Sequence, residues 1–166
     1  MASLMDRLLK TGKENSSLLC DSKVFKEKDF TPIGVPVLNI ALSGDVDGGL
    51  SSGITTLAGP SKHFKSLLGL IMVKAYMDKN KDAICIFFDS EFGITPAYLK
   101  SIGIDDTRVI HEPVTNIEEL KFNFVAKLEE ITRNDKVIIF VDSVGNIASK
   151  KEVEDAKDEK SVADMT

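Results

Sequence analysis

The segment LAGPSKHFKS, residues 57–66, decides how the rest of the chain is read. Loops that cradle phosphates carry a Gly, four residues, a second Gly, then Lys and Ser or Thr. Gly59, Lys65 and Ser66 meet that spacing, but Phe64 stands where the second Gly belongs. Glycine is favoured there because the backbone takes a positive φ or approaches its ligand closely. A Phe is expected to keep φ below zero, with its ring directed away from any phosphate. The setting still favours an anion site, since the segment joins an apolar strand-like run to an apolar helix-like run. N–H groups of the loop (Gly59, Ser61, Lys62, His63, Phe64) and of the following first helical turn then surround an anion, and Pro60 lines the loop without an N–H. The helix dipole adds to their pull. Lys65 would neutralise the outer phosphates of a nucleotide, and the Ser66 hydroxyl would bind Mg²⁺.

Outward from this loop, four runs are continuously apolar and mostly β-branched or aromatic, as buried parallel strands are. They are GITTLAG (53–59), AICIFFD (83–89), RVIHE (108–112) and KVIIFVD (136–142). Between them lie helical stretches. Residues 67–77 are apolar nearly all round, which suits a helix buried against a sheet. A second helix starts with Thr95 as N-cap and Pro96 at its first position, and Gly103 ends it. A third, from about Asn116 to Arg133, repeats Ile117, Leu120, Phe124, Val125, Leu128 and Ile131 at three- and four-residue spacing. This alternation predicts right-handed crossovers and a parallel sheet. PVLNIALSG (36–44) reads as a short helix followed by the DGG turn at 47–49. Residues 1–35 read differently, as an arm or oligomerisation segment, with 36–166 forming the core.

Composition narrows the function classes. The chain has 166 residues, 43% of them hydrophobic and 28% charged, enough for one α/β domain with a core. No apolar run approaches the roughly 18 residues of a membrane span. The charged N-terminus is not a secretory signal. Cys20 and Cys85 read as reduced thiols of a cytoplasmic protein, and Cys and His are too few for a zinc site. A net charge of −5 argues against passive binding of nucleic acid over the whole surface.

Two strands compete to supply an acidic partner for the loop, one ending at Asp89 and the other at Asp142. Either carboxylate, at the carboxyl end of a parallel strand, can hold magnesium through water, and Ser143 can support it. Each also reads as simple strand termination. Glu91 reaches the same rim and is the candidate for orienting a water.

PVLNIALSG, LAGPSKHFKS, FFDSEFGITPAYLKSIG (87–103) and VIIFVDSVGNIASKKEVED (137–155), in this order, resemble the UvsX-type phage branch of the RecA family of strand-exchange ATPases. The resemblance covers nearly the whole chain from about residue 30. It implies an α/β fold, a P-loop NTPase (RecA-like) core with a parallel sheet flanked by helices, incomplete at the C-terminus. It also implies ATP and Mg²⁺ as cofactors, with Lys65 and Ser66 as the Walker A lysine and hydroxyl and Asp142 as the Walker B aspartate. Glu91 becomes the catalytic glutamate, and Tyr98 the aromatic that stacks on adenine. Its bland alternative is a Tyr packed on the sheet. Thr95 falls where the family has an adenine-contacting Asp, so that contact is not carried over. Phe64 becomes a feature of the branch, and His111 a strand-end residue without a matching role.

The stretch KKEVEDAKDEKS (150–161) reads by itself as a solvated, charge-balanced loop. The resemblance turns it towards the first DNA-binding loop, with Lys157 and Lys160 as contacts. Implied partners are single-stranded DNA, a homologous duplex, further copies in a filament, and single-strand-binding and mediator proteins. The family core runs well past the position of Thr166, so the resemblance implies a truncated core with little DNA-stimulated ATP hydrolysis of its own. Two other readings compete. A small P-loop kinase needs a lid of arginines, and only Arg7, Arg108 and Arg133 are present. A non-catalytic module would dock its N-terminal arm on full-length recombinase subunits.

Overall fold

The computed structural model describes residues 3–11, 16–22, 29–145 and 147–163, with side chains as far as Ala156. In chain order its elements are helices α1 (Leu4–Thr11), α2 (Pro36–Ser43) and α3 (Lys65–Lys79), strand β1 (Ile84–Asp89) and helix α4 (Pro96–Ile102). Strand β2 (Val109–Pro113), helix α5 (Ile117–Glu130), strand β3 (Val137–Asp142) and helix α6 (Lys150–Ala163) follow. The strands form one parallel sheet in the order β2-β1-β3. Asp89, at the carboxyl end of β1, lies in register with Pro113 on one side and Asp142 on the other.

Alternation along the strands divides the core in two. Cys85 and Phe87 of β1, with Ile138 and Phe140 of β3, meet Leu70, Val73 and Met77 of α3 and Leu99 of α4. Ile86 and Phe88, with Val137, Ile139 and Val141, meet Leu120 and Phe124 of α5 on the opposite face. A period of two in the strands against one apolar stripe per helix produces this three-layer stack. Val125 and Leu128 of α5 lie outside it, 47% and 46% exposed, because the expected apolar stripe is wider than the area in contact with the sheet. The Cys85 thiol is buried, and loss of solvation pushes its pKa up to about 12, so it stays an inert thiol.

The helix ends follow local rules. Thr95 Oγ1 accepts from the Tyr98 N–H at 3.2 Å and Asn116 Oδ1 from the Glu119 N–H at 2.9 Å. Gly103 closes α4 at φ 87°, a conformation that disfavours any side chain. Arg108 reaches back to the end of α3, where Nη1 donates to the carbonyls of Lys81 and Ala83 at 3.1 and 3.2 Å. That guanidinium satisfies carbonyls of the turn between α3 and β1 and joins that turn to the start of β2. Asn39 does similar work before the loop. Buried in α2, it accepts from the Ile33 N–H and donates to the Ile33 and Val46 carbonyls.

Two expectations are corrected. Residues 53–59 form no strand, and Ile54 is 98% exposed. A strand exists through hydrogen bonds to a neighbour, and among the described residues β3 pairs only with β1. The β-branched run has propensity without a partner, and propensity alone does not build a sheet. Residues 150–161 are not a loop but lie in α6. Ser149 and Glu152 cap it reciprocally, the Ser149 N–H donating to Glu152 Oε2 at 2.7 Å and the Glu152 N–H to Ser149 Oγ at 3.1 Å. The capping-box spacing SKKE was present in the sequence.

The packing of α3 on β3 is unusually close at one point. A Cβ added to Gly69 would stand 2.5 Å from Cε2 of Phe140, whose ring is stacked against Phe87 at 5.3 Å. Gly69→Ala gains about 1 kcal/mol of helix propensity and meets about 1–3 kcal/mol of overpacking. The expected net result is a loss of about 1 kcal/mol in urea unfolding, and a more stable variant would show that the contact is not binding.

Candidate functional site

The candidate site lies where the N-terminus of α3 meets the carboxyl ends of β1 and β3. Phe64, the residue before α3, has φ 58° and ψ 18°, and Lys62 has φ 65°. The expectation that Phe64 keeps φ below zero is therefore wrong. The entry into α3 takes a left-handed step even with Phe in place, at a cost of about 1–3 kcal/mol for a non-glycine. The ring avoids the loop by facing solvent, 72% exposed.

Lys65 folds back over the loop, its Nζ donating to the Pro60 carbonyl at 2.7 Å. Its stem passes Gly59, where an added Cβ would lie 3.9 Å from Lys65 Cδ. His63 Nδ1 lies 2.8 Å from the Ser61 carbonyl, so the loop ties itself together locally. At the first turn of α3, the Ser66 hydroxyl lies close enough to Asp142 at the end of β3 to favour its ionised form. Ser66 and Gly69 share one face of α3, and Phe140 and Asp142 share one face of β3. The Gly69–Phe140 approach thus brings the hydroxyl to the carboxylate.

Asp142 is half-buried, and its pKa is raised chiefly by loss of solvation. The Ser66 hydrogen bond opposes that shift, the Glu91 and Asp89 carboxylates reinforce it, and Lys65 again opposes it. Glu91 leans to the same rim, where Ser143 Oγ donates to its Oε1 at 2.9 Å. Ser90 links the two strand ends: its Oγ donates to the Ser143 carbonyl at 2.8 Å and accepts from the Ser143 N–H at 2.9 Å.

A magnesium ion fits these residues. Ser66 and Asp142 offer two adjacent hard oxygens, and Asp142 sits in excess negative potential that a cation relieves. No cluster of three His, Cys, Asp or Glu residues among the described residues forms a protein-only cage. Mg²⁺ commonly uses one or two protein oxygens and completes its octahedron with phosphate and water.

The structure therefore brings Lys65, Ser66, Glu91 and Asp142 together. It does not join Tyr98 to them by a hydrogen bond or stacking. That residue stands on α4 with 38% of its surface exposed. Lys157 and Lys160 lie in α6, but their side chains fall outside the described residues, so their role as DNA contacts has no structural test. Sequence reasoning missed the part played by Asp89. Its Oδ1 accepts from the N–H groups of Glu91 and Phe92, and its Oδ2 faces His111 Nε2. Only the strand register puts His111 opposite Phe87 and hence beside Asp89.

A parallel α/β stack with a loop and helix N-terminus at the strand ends is consistent with a RecA-like core. The RecA N-terminal domain family model matches residues 3–165, and the chain belongs to the RecA family. It is similar to the Recombination and repair protein of Enterobacteria phage T4, 53% identical over 167 aligned residues covering all of this chain and 43% of that protein. Protein RecA from two strains of Cereibacter sphaeroides is 31% identical over 86% of this chain and 40% or 38% of each RecA. The chain thus spans less than half the length of these relatives.

The raised pKa of Asp142 carries a sign. Its acid form is favoured by folding, so its contribution is complete below the unfolded carboxylate pKa and is lost as pH rises through the folded value. Asp142→Asn is expected to raise the unfolding temperature of the nucleotide-free chain at neutral pH. That gain should shrink as the pH approaches 4. A gain that persists unchanged at acid pH would contradict the desolvation argument.

Proposed function

We propose that this chain is the nucleotide-binding part of an ATP-dependent DNA recombinase. ATP binding favours a filament on single-stranded DNA, the filament pairs that strand with a homologous duplex and exchanges strands, and hydrolysis permits release. The observation that supports this reading most directly is the contact of Ser66 with Asp142 beneath the Lys65 loop. A serine hydroxyl, a strand-end carboxylate and a lysine at a helix N-terminus suit a magnesium–triphosphate.

In this reading Lys65 leaves the Pro60 carbonyl for the β- and γ-phosphates, while loop and α3 N–H groups hold the phosphate oxygens. Ser66 and Asp142 hold magnesium, Asp142 through water, and the ion when bound neutralises developing phosphate charge. Glu91 orders the attacking water, a task of positioning rather than strong basicity. Tyr98 stacks on the base, and Lys157 and Lys160 in α6 contact DNA. Residues 1–35 serve as an arm for association with further copies, beside a partial core at 36–166. Single-strand-binding and mediator proteins are the expected accessory partners, in the cytoplasm of the cell where recombination runs. No helix of the described residues is long and apolar enough to cross a membrane.

A docking module remains the second reading because α1 exposes Leu4, Met5 and Leu8. A kinase is disfavoured, since Arg108 is engaged at the end of α3. Calorimetry with magnesium-ATP is expected to show binding that Lys65→Ala weakens at least about tenfold, the loss of one charged hydrogen-bond donor. Sedimentation should show ATP-dependent growth on single-stranded DNA when the chain is mixed with a full-length homologue, and DNA-stimulated hydrolysis by the chain alone should be slight. No heat with magnesium-ATP would reject the nucleotide reading, and shortening of the homologue's assemblies without nucleotide would favour the docking module.

A further inference from the structure

Asp89 has no task in the reaction just described, yet it is 2% exposed and hydrogen-bonded on both oxygens. Its Oδ1 accepts from the Glu91 N–H at 3.1 Å and the Phe92 N–H at 2.7 Å. Its Oδ2 lies 3.1 Å from His111 Nε2, and the His111 ring also rests against Phe87, with centroids 5.5 Å apart. Phe92 meanwhile takes φ 55°, a conformation that a bulky residue keeps only when its surroundings impose it. A carboxylate this deeply buried needs donors around it, and the turn needs an acceptor. Each therefore holds the other in place. The turn delivers Glu91, whose carboxylate is gripped separately by Ser143.

We propose that Asp89 is a positioning residue for Glu91, and that His111 braces it from β2 through the Asp89 Oδ2 contact. Glu91 is then held at two points, its main chain by Asp89 and its carboxylate by Ser143. The proposal rests on the reading of Glu91 as the group that orders water. Such a group loses much of its effect when displaced by about an ångström. His111 acquires a role that its isolated position at a strand end does not suggest.

The test is amide hydrogen exchange and carbon-detected NMR on the nucleotide-free chain, with Asp89→Ala, Asp89→Asn and His111→Phe. Replacing the charged acceptor by a neutral one in Asp89→Asn should speed exchange at the Glu91 and Phe92 amides about fivefold. Asp89→Ala should speed it further, and His111→Phe at least about twofold, by freeing the Asp89 carboxylate to rotate. The Glu91 side-chain carboxyl signal should move in each, while exchange at Ile86 and Phe88 stays unchanged. Should Asp89→Ala fail to fold, the other two variants carry the test. Unchanged Glu91 and Phe92 amides in both would overturn the proposal. So would acceleration spread evenly over the sheet, the mark of a merely structural residue. Magnesium-ATP affinity is expected to stay within about twofold, and a tenfold fall would assign Asp89 to the loop instead. A parent chain without nucleotide binding would remove the proposed function, while the brace itself would still be read from the exchange data.

Discussion

The approach of α3 to β3 at Gly69 is the constraint on which the site depends. With no side chain at that position, the helix settles against the Phe140 ring, itself backed by Phe87. Three residues earlier on the same helical face, Ser66 then reaches Asp142, two residues along the same strand face. A methyl group at Gly69 would push these elements apart before any polar interaction formed. Close packing on one side of the sheet thus sets the distance between a hydroxyl and a carboxylate at its end.

The rim illustrates why a site of this kind is costly in the absence of its ligand. Asp142 loses solvation beside two other carboxylates, and Lys65 offsets only part of that while hydrogen-bonded to its own loop. Lys62, Phe64 and Phe92 hold left-handed backbone conformations around the same rim. Unfavourable electrostatics and backbone strain therefore occur together, at the place where a cation and a polyanion would relieve the first. The surrounding sheet and helices supply the stability that makes this tolerable.

Serine side chains connect the two strand ends across the rim. Ser90 exchanges hydrogen bonds with the Ser143 backbone, and Ser143 in turn holds Glu91. From Ser143 the chain runs towards α5, where the Ala148 carbonyl accepts from the Ile117 N–H at 3.2 Å and the Glu118 carboxylate accepts from the Lys150 N–H. The start of α6 is therefore tied to the N-terminus of α5.

Much of this was written in local sequence. Thr95, Pro96, Gly103 and Asn116 mark helix ends through interactions spanning a few residues, and the apolar run 83–89 is the buried central strand, while 108–112 and 136–142 pair with it as outer strands that are only half-buried or exposed. The spacing of Gly59, Lys65 and Ser66 marked the loop for the same reason. Residues 53–59 misled because a strand is defined by its neighbour, and neighbours are not a local property. Residues 150–161 misled because their even charge hid a capping box of ordinary spacing. The left-handed step at Phe64 was foreshadowed by the glycine that the loop pattern favours there, whereas the closeness at Gly69 and the meeting of Asp89 with His111 were set by tertiary structure alone. Each depends on which strands lie side by side and in what register, and such long-range contacts leave no periodic trace along the chain.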